Sequence, residues 1–363
     1  MTYISLFDTT LRDGLQNADI SCSPLIRQAY LDEVQKYNFD YTETAMIDSN
    51  DPTLSNIVNP ILLALPRRKN IKKAVLSGVS LHFVIKADPL QIRNVIGRDP
   101  NEYVMDCVAI IKESIASGVH TLCVLEHFFD AFLTDPDFVQ GLVTQLAATE
   151  VVNISLADTN GGTLPHQVEA VLDRLSIPMT RLGVHMHDDM GLAIANSLAA
   201  VRKGVRLLQG TWNGMGERCG NMNLVTAFCT LMLKMGYRSC LSEWLSELTA
   251  SSAIINKLFR VNGNNLPYIG TNAFSHKGGI HINGVSRSSS FYEHIDPTLV
   301  GNQTKIVVSE MMGTSSLVDI LGERPPTAFL PIARTIVGVD NWRALLQERY
   351  REWTKQLYVG SLT

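Results

Sequence analysis

Short runs rich in β-branched and apolar residues alternate with longer stretches of helical period from the start of the chain to about residue 240. The runs predict strands at Tyr3 to Asp8, Asp40 to Ala45, Leu81 to Ile85, His120 to Leu125, Val152 to Ala157, Leu182 to Met186 and Arg206 to Gly210. Between them, Ile26 to Tyr37, Tyr103 to Ser117 and Leu192 to Lys203 carry apolar positions at helical spacing. Strand and helix in strict alternation predict a parallel sheet with crossover helices, and this many repeats predict closure into a (β/α)8 TIM barrel of the α/β class. The count is one strand short. Lys72 to Ser77 is the remaining β-like run, yet it lies too near Leu81 for a parallel crossover, which needs about a dozen residues. Either the third βα unit is abbreviated, or its strand lies elsewhere.

After Leu241 the pattern changes. A helical stretch, Ser242 to Phe259, leads into a Gly-, Asn-, Ser- and His-rich region, Asn262 to Ser290. A Pro-rich connection, Gly322 to Pro331, precedes a last helix bearing Trp342, Tyr350 and Trp353. The expected division is a barrel over 1–240, a linker subdomain over 241–312 and a helical subdomain over 313–363, the last two forming a smaller, mainly helical module.

Composition narrows the class without naming a chemistry. The 363 residues carry a formal net charge of −4, so nothing points to a nucleic acid partner. There is no apolar run of membrane-spanning length and no basic-then-apolar opening, so no membrane association is expected and a cytoplasmic location is. The cysteines, six in all, form no Cys-x-x-Cys pair and read as reduced thiols.

Chemistry concentrates where strands end. His185-Met186-His187 closes a predicted strand, and residues two apart on a strand share a face, so both imidazoles can address one point. An ordinary His pair would look the same; the position is what raises it, because carboxyl ends of barrel strands hold catalytic groups. At the end of the first strand stands Asp8-Thr9-Thr10-Leu11-Arg12-Asp13-Gly14-Leu15-Gln16. A helix cap explains Thr9 or Asp13 but gives Arg12 no purpose, whereas an Arg beside a metal-binding Asp is a fixed cation for a developing oxyanion. The last strand runs into Gly214-Met215-Gly216-Glu217-Arg218-Cys219-Gly220-Asn221, whose glycines permit close backbone approach but lack dinucleotide spacing. Glu126-His127 and Asp158-Thr159-Asn160-Gly161-Gly162 end two further strands, the second also being ordinary turn chemistry. Downstream, His276-Lys277-Gly278-Gly279-Ile280-His281 and Tyr292 offer a loop histidine for proton transfer.

These motifs together resemble the metallolyase superfamily of barrel enzymes, which includes isopropylmalate, homocitrate and citramalate synthases and hydroxymethylglutaryl-CoA lyase. Glu126-His127-Phe128-Phe129-Asp130, Asp158 to Pro165 and Tyr292-Glu293-His294-Ile295-Asp296-Pro297 are most similar to the citramalate synthases. The resemblance runs over nearly the whole chain. It implies a divalent metal ion (Mn2+, Mg2+, Co2+ or Zn2+) on Asp13, His185 and His187, with Asn221 near it. It further implies that Arg12 stabilises an oxyanion, and that Gln16, Glu43 and Thr159 bind a small 2-oxo acid beside a catalytic Glu126. His281 and Tyr292 would handle the acetyl group of acetyl-CoA, with Asn283 at a position where several synthases carry an acid. The implied reaction is a Claisen-type condensation, with pyruvate the favoured acceptor, in a homodimer whose active site crosses subunits. A lyase or aldolase of the same superfamily and a silent, binding-only paralogue are the competing expectations. The sequence ends at Thr363, before the region where the family places its regulatory domain, so feedback by isoleucine or leucine is not expected.

Overall fold

The computed structural model describes residues 2–49, 60–309, 312–338 and 341–360. It divides into two compact units, Met1–Gly263 and Asn264–Thr363. No helix among the described residues is long and apolar enough to cross a membrane.

The first unit is a closed barrel of eight parallel strands in sequence order. They are β1 (Ser5–Asp8), β2 (Tyr41–Met46), β3 (Ile61–Ala64), β4 (Ser80–Lys86), β5 (Thr121–Glu126), β6 (Ile154–Asp158), β7 (Leu182–Met186) and β8 (Leu207–Gly210). β8 returns to β1, pairing Ser5 with Leu207 and Asp8 with Gly210. Seven strands fall where the hydrophobic pattern places them; the eighth is β3, four consecutive buried apolar residues with no alternation to reveal a strand. Lys72 to Ser77 lies within a helix, Arg68–Ser77, whose buried Ile71 and Ala74 follow helical spacing. The third unit therefore has its strand, placed before that helix.

Several helices are started by local chemistry that leaves little choice. Ser23, Asp99 and Asp135 each accept a hydrogen bond from a free backbone N–H, and each precedes a proline at the first helical position. Proline there loses no hydrogen bond and has its φ already set, so a Ser-Pro or Asp-Pro step marks where these helices begin.

The interior fills in layers. Phe7, Ile61 and Leu122 pack with Leu207 in one apolar cluster, and Leu63, Val124 and Ala157 pack against Val84 in another. Alternate strands fill alternate layers, so residues two apart on one strand lie two layers apart, which is why Ile61 and Leu63, or Leu122 and Val124, appear in separate clusters. Between them sits a polar layer: Glu43 on β2, His82 on β4, Ser155 on β6 and Gln209 on β8, all buried. Gly183 on β7 leaves the room this needs, since a Cβ there would lie 2.5 Å from Leu207 and 2.6 Å from Ser155 Oγ.

The second unit has its own core, in which Met312, Leu317, Phe329 and Ala333 pack with Leu346 and Tyr350. Two short parallel strands, Ser275–His276 and Lys305–Ile306, precede it in the chain. Trp342 begins the last helix, Trp342–Gly360, as the pattern predicts.

Candidate active site

The turn after β1 is set by Asp8. Its carboxylate accepts from the Thr10 N–H at 2.9 Å and from Tyr30 Oη at 2.7 Å, so Asp8 serves the turn and is buried beneath it. That fold of the chain presents Arg12 and Asp13 at the carboxyl end of the barrel. Asp13 Oδ2 lies 3.0 Å from His185 Nε2, and His185 Nε2 lies 3.3 Å from His187 Nε2. The ligand atoms of the three buried residues all lie within 4.8 Å of one another.

These residues fit a divalent cation. Two ring nitrogens and a carboxylate oxygen facing one point cannot all be satisfied by protons, whereas one cation satisfies all three lone pairs. Burial, reinforced by His185, pushes the His187 imidazole down to about 4, so it is neutral and ready to ligate at ordinary pH. Burial alone would raise the Asp13 carboxyl, but Arg12 and the two imidazoles outweigh it and hold it well below the usual carboxylate range. Asn221 pairs with His187 through the backbone, and its Oδ1 is buried with no hydrogen-bond partner among the described residues. The glycine beside it is obligatory: Gly220 has φ +98°, and a Cβ there would lie 2.1 Å from the Gly214 carbonyl oxygen.

Arg12 Nε donates to Glu43 Oε2 at 2.5 Å, and its Nη1 lies 3.4 Å from Asp13 Oδ2. The other Glu43 oxygen faces His82 Nδ1 at 2.7 Å. Burial would raise the Glu43 carboxyl, yet Arg12 and His82 overcome it and lower it, keeping the anion inside the barrel. Arg12 lines the cavity at this end of the barrel, while Glu43 is fully buried behind it.

The cavity has a volume of about 250 Å³. Its polar side presents Arg12, Asp13, Gln16, Glu126, Thr159, His185 and His187. The opposite character comes from Leu63, Val84, Val124 and Ala157, one upper layer of the barrel exposed to the space. Around the mouth, the loops are tied together. Thr159 Oγ1 accepts from the His127 N–H at 2.8 Å, and the Thr159 carbonyl accepts from Arg218 Nη2 at 2.8 Å. Arg218 also clasps Asp189 with two donors, each at 2.7 Å.

Of the residues expected from sequence, Arg12, Asp13, Gln16, Glu126, Thr159, His185 and His187 meet at this one cavity. His281, Asn283 and Tyr292 belong to the second unit. There the helix Gly279–Val285 carries His281 and Asn283, and the His281 ring stacks on Tyr292 with centroids 4.2 Å apart. Sequence reading missed Lys86, whose Nζ lies 2.7 Å from Glu126 Oε2. β4 extends one residue past Ile85, and that residue stands in register with Glu126, so a longer strand boundary would have exposed the pair. It also missed the Arg218–Asp189 clasp and His82, to which no short motif points.

An eight-stranded parallel barrel with three buried residues at its carboxyl end that could hold a metal ion defines the class: a TIM-barrel protein with a candidate divalent-metal site where barrel enzymes keep their chemistry. The chain belongs to the HMGL-like family, whose model matches residues 3–250, and a homocitrate synthase post-HMGL domain-like model matches residues 268–323. Among curated proteins it is similar to the (R)-citramalate synthases of Synechocystis sp. (32% identical, covering 87% of this chain and 63% of that one) and Sulfolobus acidocaldarius (33%, 87% and 64%). The 2-isopropylmalate synthase of Halalkalibacterium halodurans is 28% identical, over 85% of this chain and 63% of its own. The chain thus spans less than two thirds of the length of these curated relatives. In fold it is similar to the HMG-CoA lyase of Brucella melitensis, with a TM-score of 0.63 and 21% identity, covering 72% of this chain and 100% of that one.

Proposed function

We propose that the protein condenses acetyl-CoA with a small 2-oxo acid, pyruvate first among them, to give a 2-alkylmalate such as citramalate and free CoA. The observation that carries this reading over a lyase is the second unit. That unit, Asn264–Thr363, contains the match to a homocitrate synthase post-HMGL domain-like model over residues 268–323 and the stacked His281 and Tyr292.

A divalent cation on Asp13, His185 and His187, with Asn221 beside it, would supply Lewis acidity to the keto carbonyl of the bound acid. Mn2+, Mg2+, Co2+ and Zn2+ all suit such a donor set. Gln16 and Thr159 orient the 2-oxo acid from the polar side of the cavity, and Glu126, paired with Lys86, borders the reacting centre. The side chain of the acid lies against Leu63, Val84, Val124 and Ala157, where a second carboxylate would meet no cation. We assign removal of a methyl proton of acetyl-CoA to His281, assisted by Tyr292, with Asn283 on the same helix. The resulting carbanion equivalent attacks the keto carbon, and Arg12 donates to the alkoxide oxygen that forms. Water then cleaves the thioester, releasing CoA and making the sequence irreversible. Glu43 serves by holding Arg12. We also propose a homodimer whose active site draws on both subunits, and a cytoplasmic setting in keeping with free cysteines.

The test is thiol release from acetyl-CoA with purified, Mn2+- or Mg2+-loaded protein across pyruvate, 2-oxobutyrate, 2-oxoisovalerate, 2-oxoglutarate and phosphonopyruvate. Release with a monocarboxylic acid, highest with pyruvate, and none with 2-oxoglutarate is expected. Silence with every acid from a folded, metal-loaded protein would transfer the assignment to a lyase or a binding-only role.

A further inference from the structure

Glu43 apart, the polar layer inside the barrel is not used by the chemistry above, yet its hydrogen bonds can be followed from one strand to the next. It begins at the opposite end of the barrel from the cavity. Asn153, just before β6, donates from Nδ2 to the backbone carbonyl of Arg181 at 3.1 Å, which turns its Oδ1 toward Ser155. The Ser155 hydroxyl donates to that oxygen at 3.0 Å. With its one hydrogen committed there, Ser155 Oγ can only accept, and it takes the Gln209 Nε2 donor at 2.7 Å. The same amide nitrogen faces His82 Nε2 at 3.4 Å. The Glu43 carboxylate only accepts, so its 2.7 Å contact with His82 places the ring hydrogen on Nδ1 and leaves Nε2 the lone pair that the Gln209 amide faces. Glu43 Oε2 then receives Arg12 Nε.

We infer that His82 is a positioning residue for Arg12. As the Nδ1–H tautomer, with Gln209 facing its other ring nitrogen, it fixes the Glu43 carboxylate, and Glu43 in turn fixes the guanidinium that faces the cavity. The layer's position explains why the arrangement is built this way. β2, β4, β6 and β8 are not neighbours, so their side chains meet only across the barrel interior, where water cannot replace a missing partner. A carboxylate with both oxygens engaged in a dry interior has one orientation. An Arg anchored to it through Nε has its remaining donors aimed by the scaffold, and pre-aimed donors are what transition-state stabilisation requires. The alternative role for a buried histidine, filling space, would need no acceptor on one ring nitrogen and no donor on the other.

The kinetic arm of the test rests on the condensation reading; the spectroscopic arm does not. His82→Leu removes the donor at similar bulk, while His82→Asn returns an amide N–H close to the position of Nδ1. Loss of a hydrogen-bonded partner that orients a functional group costs roughly 10- to 100-fold in activity. The expected result is such a loss in kcat for His82→Leu, an unchanged KM for acetyl-CoA, and recovery of most of the rate in His82→Asn. Wild-type rates in the leucine variant, or equal losses in both folded variants, would overturn the inference. Should the leucine variant not fold, 15N NMR of the wild-type imidazoles decides: a proton on His82 Nδ1 supports it, and a proton on Nε2 overturns it. Wild-type protein that releases no CoA with any acid would sink the condensation reading alone, and the position of the His82 proton would still decide the role of this residue.

Discussion

Arg12→Ala is expected to cut the rate of CoA release by about 100- to 1,000-fold, the cost of removing one donor from an oxyanion site. The same substitution is expected to destabilise the fold, and the two effects have different causes. Arg12 neutralises Glu43, which is completely buried and has His82 as its other partner among the described residues. Breaking one side of a buried ion pair costs about 3–5 kcal/mol, because the surviving charge has no water to turn to. Arg12→Lys separates the two contributions. A lysine keeps a cation near Glu43, so much of the stability returns, but a single ammonium cannot hold Glu43 and also reach the cavity with fixed geometry. Urea unfolding and steady-state rates on the three proteins check this. Near-wild-type stability with lost activity is expected for lysine; loss of both is expected for alanine. An alanine variant that is folded and fully active would remove Arg12 from the reaction.

The second large effect concerns the cation. His185→Ala deletes the residue whose Nε2 stands between Asp13 and His187, and is expected to abolish both metal retention and activity. Stability should report the binding independently of any reaction. A ligand that binds only the folded protein at a hundred times its Kd adds about 2.7 kcal/mol, so Mn2+ should raise the wild-type Tm and a chelator should lower it. The variant's Tm should respond to neither. Retention of one metal per chain by His185→Ala, with a Tm that still follows the metal, would place the cation somewhere other than Asp13, His185 and His187.

What the sequence made legible follows from range. His185 lies on β7 and His187 immediately follows its end, and Arg12 and Asp13 share one turn, so period and position were enough to single them out. β3 was hidden because a strand buried on both faces has no alternation, and Ile61–Ala64 is only four residues long. The helix at Arg68–Ser77 reads as a β-like run because its apolar Ala74, Val75 and Leu76 are consecutive; only its buried Ile71 and Ala74 show the true period. His82 and Gln209 were illegible for a different reason. Each is one polar residue within a strand, and the partner that gives it meaning sits on a strand across the barrel. Only closure brings them together. The same holds for Lys86 and Glu126, joined by register between β4 and β5 rather than by any spacing along the chain.

A condensing enzyme must form a carbon–carbon bond between the acetyl methyl group and the keto carbon of the 2-oxo acid, and isotopic labelling reads that bond directly. Acetyl-CoA labelled with 13C at the methyl carbon and pyruvate labelled with 13C at the keto carbon are supplied together to the metal-loaded protein. Condensation gives a new one-bond 13C–13C coupling, between the methylene and the tertiary carbinol carbon of citramalate, appearing in step with free CoA. CoA release that leaves unlinked acetate and pyruvate would show thioester hydrolysis alone, and the synthase assignment would be wrong.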